Sequence, residues 1–210
     1  MPVHPLEWSV HCATARLLAY GVRCHQNTYH QNGNLVSVDL DSLPVTLTDI
    51  ERSAELLEGV IERTPVAHSR ALSQRLGSEV FFKCENLQRA GSFKVRGAYV
   101  RMAKLSEEEK KRGVVAASAG NHAQGVALAA DRLGIKARIY MPLCAALPKI
   151  TATRDHGAEV ELHGVTVDEA LAEAKRYAEE TGAVFVHPFD NEDIIAGQGT
   201  IGLEILEQVP

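Results

Sequence analysis

An α/β fold with a parallel sheet is what the 210-residue sequence predicts. Short apolar runs such as Val114-Val115-Ala116-Ala117 and Ala137 to Met141 alternate with longer segments of helical period. Glycine or proline punctuates most of the junctions between them. Strands alternating with helices imply right-handed crossovers and a sheet covered on both faces. Such sheets bind ligands beyond the carboxyl ends of their strands, so the strand-to-helix turns are where chemistry is sought.

Composition narrows the function classes. Charged residues make up 23% and the formal net charge is -5, so no basic excess argues for a nucleic-acid partner. No apolar run approaches bilayer length, and no Lys or Arg precedes Arg16 to start a signal peptide. Cys12, Cys24, Cys84 and Cys144 show no paired spacing, which suits reduced thiols in a cytoplasmic protein. The expected partner is a small molecule, with no nucleic acid and no membrane.

Residues 1–44 hold four of the nine histidines and Trp8 without sustained periodicity, and are expected to form a poorly ordered extension. His11-Cys12 and Cys24-His25 fit no compact zinc spacing, so no metal site is expected. From Val45 the pattern becomes regular. Thr48 or Asp49 caps a helix with an Ile50, Ala54, Leu57, Ile61 stripe, ended by Thr64-Pro65. A short helix from Ser69 to Leu76 stops at Gly77, and Glu79 to Cys84 reads as a strand. A helix follows from about Ser92 to Leu105, then a capped acidic turn at Ser106-Glu107-Glu108-Glu109. Three strand–helix units come next: Val114 to Ser118 with Asn121 to Leu133, Ala137 to Met141 with Pro148 to His156, and Ala158 to Leu162 with Val167 to Glu180. In the last helix Val167, Leu171, Ala174 and Ala178 share a face. Val184 to His187 is a final strand, and Gly199 to Glu207 a final helix.

Two stretches carry chemistry. Gly91-Ser92-Phe93-Lys94-Val95-Arg96-Gly97-Ala98 places Lys94 in the first turn of a helix, where the positive end of the dipole favours a free amine. Such an amine forms a Schiff base with an aldehyde cofactor. Arg96 lies well around that helix and reads as an exposed ion pair, while Glu85 has no derivable role. Ser118-Ala119-Gly120-Asn121-His122-Ala123-Gln124-Gly125 is a strand, glycine turn and helix start, which makes an anion site from unpaired N–H groups.

Together with Glu85-Asn86-Leu87-Gln88, these stretches resemble the fold-type II pyridoxal-phosphate enzymes, most closely the threonine ammonia-lyases, over about Val45 to Pro210. The resemblance implies a tryptophan-synthase-β-like architecture. Residues 86–186 would form a complete small α/β domain, and residues 45–85 with 187–210 an incomplete larger one. It implies pyridoxal 5'-phosphate on Lys94, with Phe93 beside the ring and Asn121 on the 3'-oxygen. Ser118, Ala119, Gly120, Asn121 and His122 would face the carboxylate of a hydroxyamino-acid substrate. The reaction implied is deamination of L-threonine to 2-oxobutanoate and ammonia, or of L-serine to pyruvate, in a cytoplasmic homo-oligomer. The family's phosphate-cradling glycine loop and its pyridine-nitrogen contact have no counterpart here, so the chain is expected to be truncated relative to the family and a poor catalyst alone. Ala146 also stands where the family favours proline, although Met141, Pro142 and Lys149 remain. The alternatives are a serine racemase or dehydratase of the same fold, or a catalytically inactive fragment.

Overall fold

The structure is a computed structural model that describes residues 28–31, 34–37 and 43–209. Of the predicted extension over residues 1–44, the structure describes the backbone of an antiparallel pair, β1 (Thr28–Gln31) with β2 (Asn34–Ser37), and the exposed Leu43 and Pro44. The expectations for the remainder of that stretch, the histidine–cysteine pairs included, lie outside the described residues.

Strands β5 (Val114–Ala117), β6 (Ala137–Met141), β7 (Glu159–Leu162) and β8 (Val184–Phe185) form a parallel sheet in the order β7-β6-β5-β8. Their side chains alternate as a pleated strand requires. Val114, Ala116, Ile139 and Met141 enter one core, and Val115, Ala117 and Tyr140 enter another across the sheet. The first core is closed by α3 (Lys94–Ala103), α5 (Asn121–Leu133) and α6 (Leu147–Asp155), through Ala98, Met102, Val126 and Ile150. The second is closed by α7 (Val167–Thr181), through Ala170 and Ala174. Between α3 and β5 runs the short α4 (Glu107–Arg112), whose Ser106 and Glu109 form the expected capping box. Val167 does not share the buried face of α7: it is 46% exposed, and Ala170 takes its place. Val167 is the first helical residue after the Thr166 cap, ahead of the turn that meets the sheet.

Of the flanking segments, the first and the last helix pack against α3. Helix α1 (Leu47–Leu56) is capped by Thr46, whose side chain and Asp49 form a capping box, so the cap lies two residues before Thr48 and three before Asp49, the expected caps. The helix ends at Leu56, well before Pro65, and Leu57 at its C-cap is buried. Helix α2 (Arg70–Leu76) begins at the Ser69 cap and stops at Gly77, whose φ of 67° is left-handed and easy only for glycine. An antiparallel pair, β3 (Val66–His68) with β4 (Phe81–Lys83), brackets it. The final helix, α8 (Glu192–Gln208), starts seven residues before the predicted Gly199, at an Asn191 side-chain cap.

The glycines that obscure α8 in sequence are what its packing needs. A Cβ on Gly197 would lie 2.7 Å from the Arg96 carbonyl, and one on Gly97 would lie 2.8 Å from the Ile194 carbonyl. Two helices crossing this closely leave no room for a methyl group at either position. Helix propensity alone disfavours each glycine by about 1 kcal/mol relative to alanine, and the tertiary contact overrides that cost.

Candidate active site

The loop after β5 and the start of α3 converge because α5 lies directly against α3. Gly125, one turn into α5, is the point of contact: a Cβ there would meet the Lys94 carbonyl carbon at 2.8 Å and the Val95 nitrogen at 2.9 Å. The first turn of α5 therefore faces the first turn of α3.

Lys94 is half-buried, and its Nζ donates to the Pro188 carbonyl at 2.7 Å. Among the described residues it takes part in no ion pair, the neighbouring pairs being made by Arg96. Its pKa is lowered by burial. The half-buried Phe93 ring has its centroid 4.9 Å from the Lys94 Nζ, so one ring face covers the amine.

Helix α5 opens without a side-chain cap. Its N-cap is Gly120, at φ -160° and ψ -126°, so neither Ser118 nor Asn121 caps it. The Ser118 hydroxyl instead accepts from the Gly120 N–H at 3.1 Å, which folds the loop back on itself. The N–H groups of the first turn, beginning with Asn121 and His122, are left to an incoming acceptor. Ala119 contributes only backbone and a methyl group. Asn121 is exposed, and its Oδ1 accepts from the Lys149 Nζ at 2.9 Å.

His122 differs from its neighbours by being buried, at 4% exposure. Its Nε2 lies 2.9 Å from the Val186 carbonyl. A carbonyl only accepts, so the ring proton belongs on Nε2, and Nδ1 is a bare, buried acceptor without a partner among the described residues. Burial pushes the imidazole down to about 4, against the opposing Val186 hydrogen bond and with help from the Lys94 and His187 charges. His122 is neutral at pH 7. The loop after β8 thus receives both signature segments, His122 at Val186 and Lys94 at Pro188.

Arg96 is where the sequence reading fails. It is not an exposed ion pair: it is fully buried, at 0% exposure. Its Nε and Nη2 donate to both oxygens of Glu85 at 2.9 and 2.8 Å, and its Nη1 donates to Glu204 at 2.6 Å. Burial acts to lower the Arg96 pKa, but the Glu85 and Glu204 hydrogen bonds outweigh it and the net shift is upward. Lys83 bonds Glu204 on its other oxygen and the Thr64 carbonyl at 2.6 Å. Glu85 therefore has a role that its position in the chain did not reveal. It ties the segment before the lysine loop to the lysine helix. Lys149, Val186, Pro188 and Gly125 were likewise not singled out for the site. The available signal for Lys149 was a cation in the first turn of a helix, the end that disfavours it.

Residues 57–210 match the family model described as "Pyridoxal-phosphate dependent enzyme". An L-threonine ammonia-lyase of Thermotoga maritima is 60% identical over 166 residues, which are 79% of this chain and 41% of that protein. The processed form of threonine deaminase isoform 2 from Solanum lycopersicum superposes with a TM-score of 0.71 at 41% identity, over 83% of this chain and 51% of that one. Maize serine racemase gives a TM-score of 0.76 at 39% identity, over 80% of this chain and 51% of that one. The chain spans about half the length of such proteins.

Proposed function

Because the chain belongs to the family of pyridoxal-phosphate-dependent enzymes, we propose that its residues serve the deamination of L-threonine to 2-oxobutanoate and ammonia, with L-serine a slower substrate giving pyruvate. The observation that carries this reading is Lys94: a half-buried amine with a lowered pKa and no acid partner among the described residues, facing an uncapped helix N-terminus. The names borne by the Thermotoga and tomato proteins support threonine as the substrate.

The residues fit the aldehyde and ring end of pyridoxal phosphate. Lys94 offers the amine that holds the aldehyde carbon, Phe93 a flat apolar wall, and Asn121 an amide for the 3'-oxygen. When bound, the cofactor supplies an electron sink for the bond broken at the substrate α-carbon. The N–H groups of the loop Ser118 to His122 hold the substrate carboxylate against the start of α5. Released from the aldehyde carbon when the substrate amine takes its place there, Lys94 Nζ, made less basic by burial, would take the α-proton. His122, neutral and tied to Val186, brings no positive charge of its own to the site. We further place the full-length protein in the cytoplasm as a homo-oligomer, with residues 86–186 as its small domain.

Borohydride reduction of the cofactor-loaded protein, followed by peptide mapping, tests the assignment. A pyridoxyl group on the Lys94 peptide is expected; one on Lys83 or Lys104 ends it. The serine racemase neighbour raises a second reading, decided at one position. Racemisation needs an acid on the face opposite Lys94, and Ala119, in the loop that faces it, has no proton to give. Chiral chromatography of residual serine after partial turnover is expected to show no D-serine, and Ala119→Ser is expected to introduce a trace.

A further inference from the structure

Lys149 is the third residue of α6, the turn in which a helix dipole disfavours a cation. Among the described residues it pairs with no carboxylate, and its side-chain contact is the 2.9 Å bond to Asn121 Oδ1. An ammonium has three donors and no acceptor, so it fixes which way the Asn121 amide points: oxygen toward Lys149, NH2 group away from it. Asn121 is exposed and caps nothing, and among the described residues no other bond to its side chain holds this orientation.

We propose that Lys149 is a positioning residue for Asn121: it occupies Oδ1 so that the Nδ2 hydrogens are presented, already oriented, as donors to an oxygen of the ligand bound between α3 and α5. This rests on the assignment of Asn121 to the cofactor's 3'-oxygen. An amide free to rotate would offer that oxygen its own oxygen for half of the time, and lose the bond while it did. A cation whose only side-chain partner among the described residues is a neutral amide, at the wrong end of its helix, is explained by this task. The residue acts through Asn121 and need not touch the cofactor.

The test begins with the 210-residue chain alone, labelled with nitrogen-15, comparing wild type with Lys149→Met. Removing a cation from a helix N-terminus does not threaten the fold. The side-chain amide of Asn121 is expected to be rigid in wild type, with an order parameter near ~0.8, and to fall below ~0.6 in Lys149→Met while the backbone of α5 stays unchanged. An Asn121 amide equally rigid in both proteins overturns the proposal. Pyridoxal 5'-phosphate is then titrated into wild type, Lys149→Met, Asn121→Ala and the double variant. Each single variant is expected to bind about tenfold more weakly, as loss of one hydrogen bond implies, and the double variant no more weakly than Asn121→Ala. Additive losses would mean that Lys149 acts independently of Asn121, which also overturns it. An Asn121→Ala that binds as wild type would instead sink the 3'-oxygen assignment, and this proposal with it. If the chain alone does not take up the cofactor, the amide measurement decides.

Discussion

Lys94 and Arg96 stand two residues apart on one helix and have been given opposite environments. Around Arg96 every charge is answered: Glu85 and Glu204 face Arg96 and Lys83, and Thr64, Thr200 and Gln208 fill the remaining positions. Around Lys94 very little is answered. The amine meets a carbonyl and an aromatic ring, the α5 N-terminus is uncapped, and among the described residues His122 Nδ1 has no partner and Lys149 meets only an amide. The first cluster is complete without a ligand and fixes how the lysine helix sits. The second is left incomplete, and its unused donors and acceptors are what a ligand can bind.

If that contrast is real, the two basic residues respond oppositely to removal. Arg96→Met leaves the part-buried Glu85 and Glu204 with only Thr64 and Lys83 as partners among the described residues, and is expected to cost about 3 kcal/mol in chemical denaturation. A loss below ~1 kcal/mol would mean that water reaches Glu85 and Glu204 and the cluster is not closed.

Acid probes the open cluster next. His122 sits near 4 in the fold against 6.5 when unfolded. The unfolded chain therefore takes up the proton first. The contribution of a neutral His122 is whole above about pH 6.5, is lost as pH falls toward 4, and then levels off, by about 3 kcal/mol in all. His122→Asn is expected to flatten stability against pH in that window, and an unchanged slope would place the acid sensitivity elsewhere.

The seams that join the clusters come third. Gly97→Ala forces a methyl group against the Ile194 carbonyl and is expected to destabilise by about 1–3 kcal/mol. Gly125→Ala pushes instead on the Lys94 backbone. It is expected to weaken pyridoxal-phosphate binding by more than its effect on the thermal midpoint accounts for. Equal losses of binding and stability would make Gly125 a packing residue only.

The smallest effect is the most telling. Lys94→Met removes a desolvated amine that among the described residues has no acid partner, and Pro188 keeps Gln198 at 3.4 Å as a donor. Stability is expected to change by less than ~0.5 kcal/mol while turnover in the full-length protein is abolished. A loss comparable to that of Arg96→Met would erase the distinction between the two clusters.

The sequence by itself determined the alternation of strands and helices, the bounds of α5 and β6, and the two stretches that carry Lys94 and Asn121. Those features are written in local physics: apolar period, glycine turns and the residues that start and stop helices. The tertiary structure alone decided that Arg96 is buried, that α8 begins at Glu192, that His122 is neutral and that Lys149 holds Asn121. Each of these depends on a partner far along the chain: Arg96 meets Glu204 across 108 residues, His122 meets Val186 across 64, and Lys149 meets Asn121 across 28. Burial and pairing belong to the neighbours that folding brings together. A local pattern can therefore place a charged residue on a helix without revealing whether that face meets water or two carboxylates.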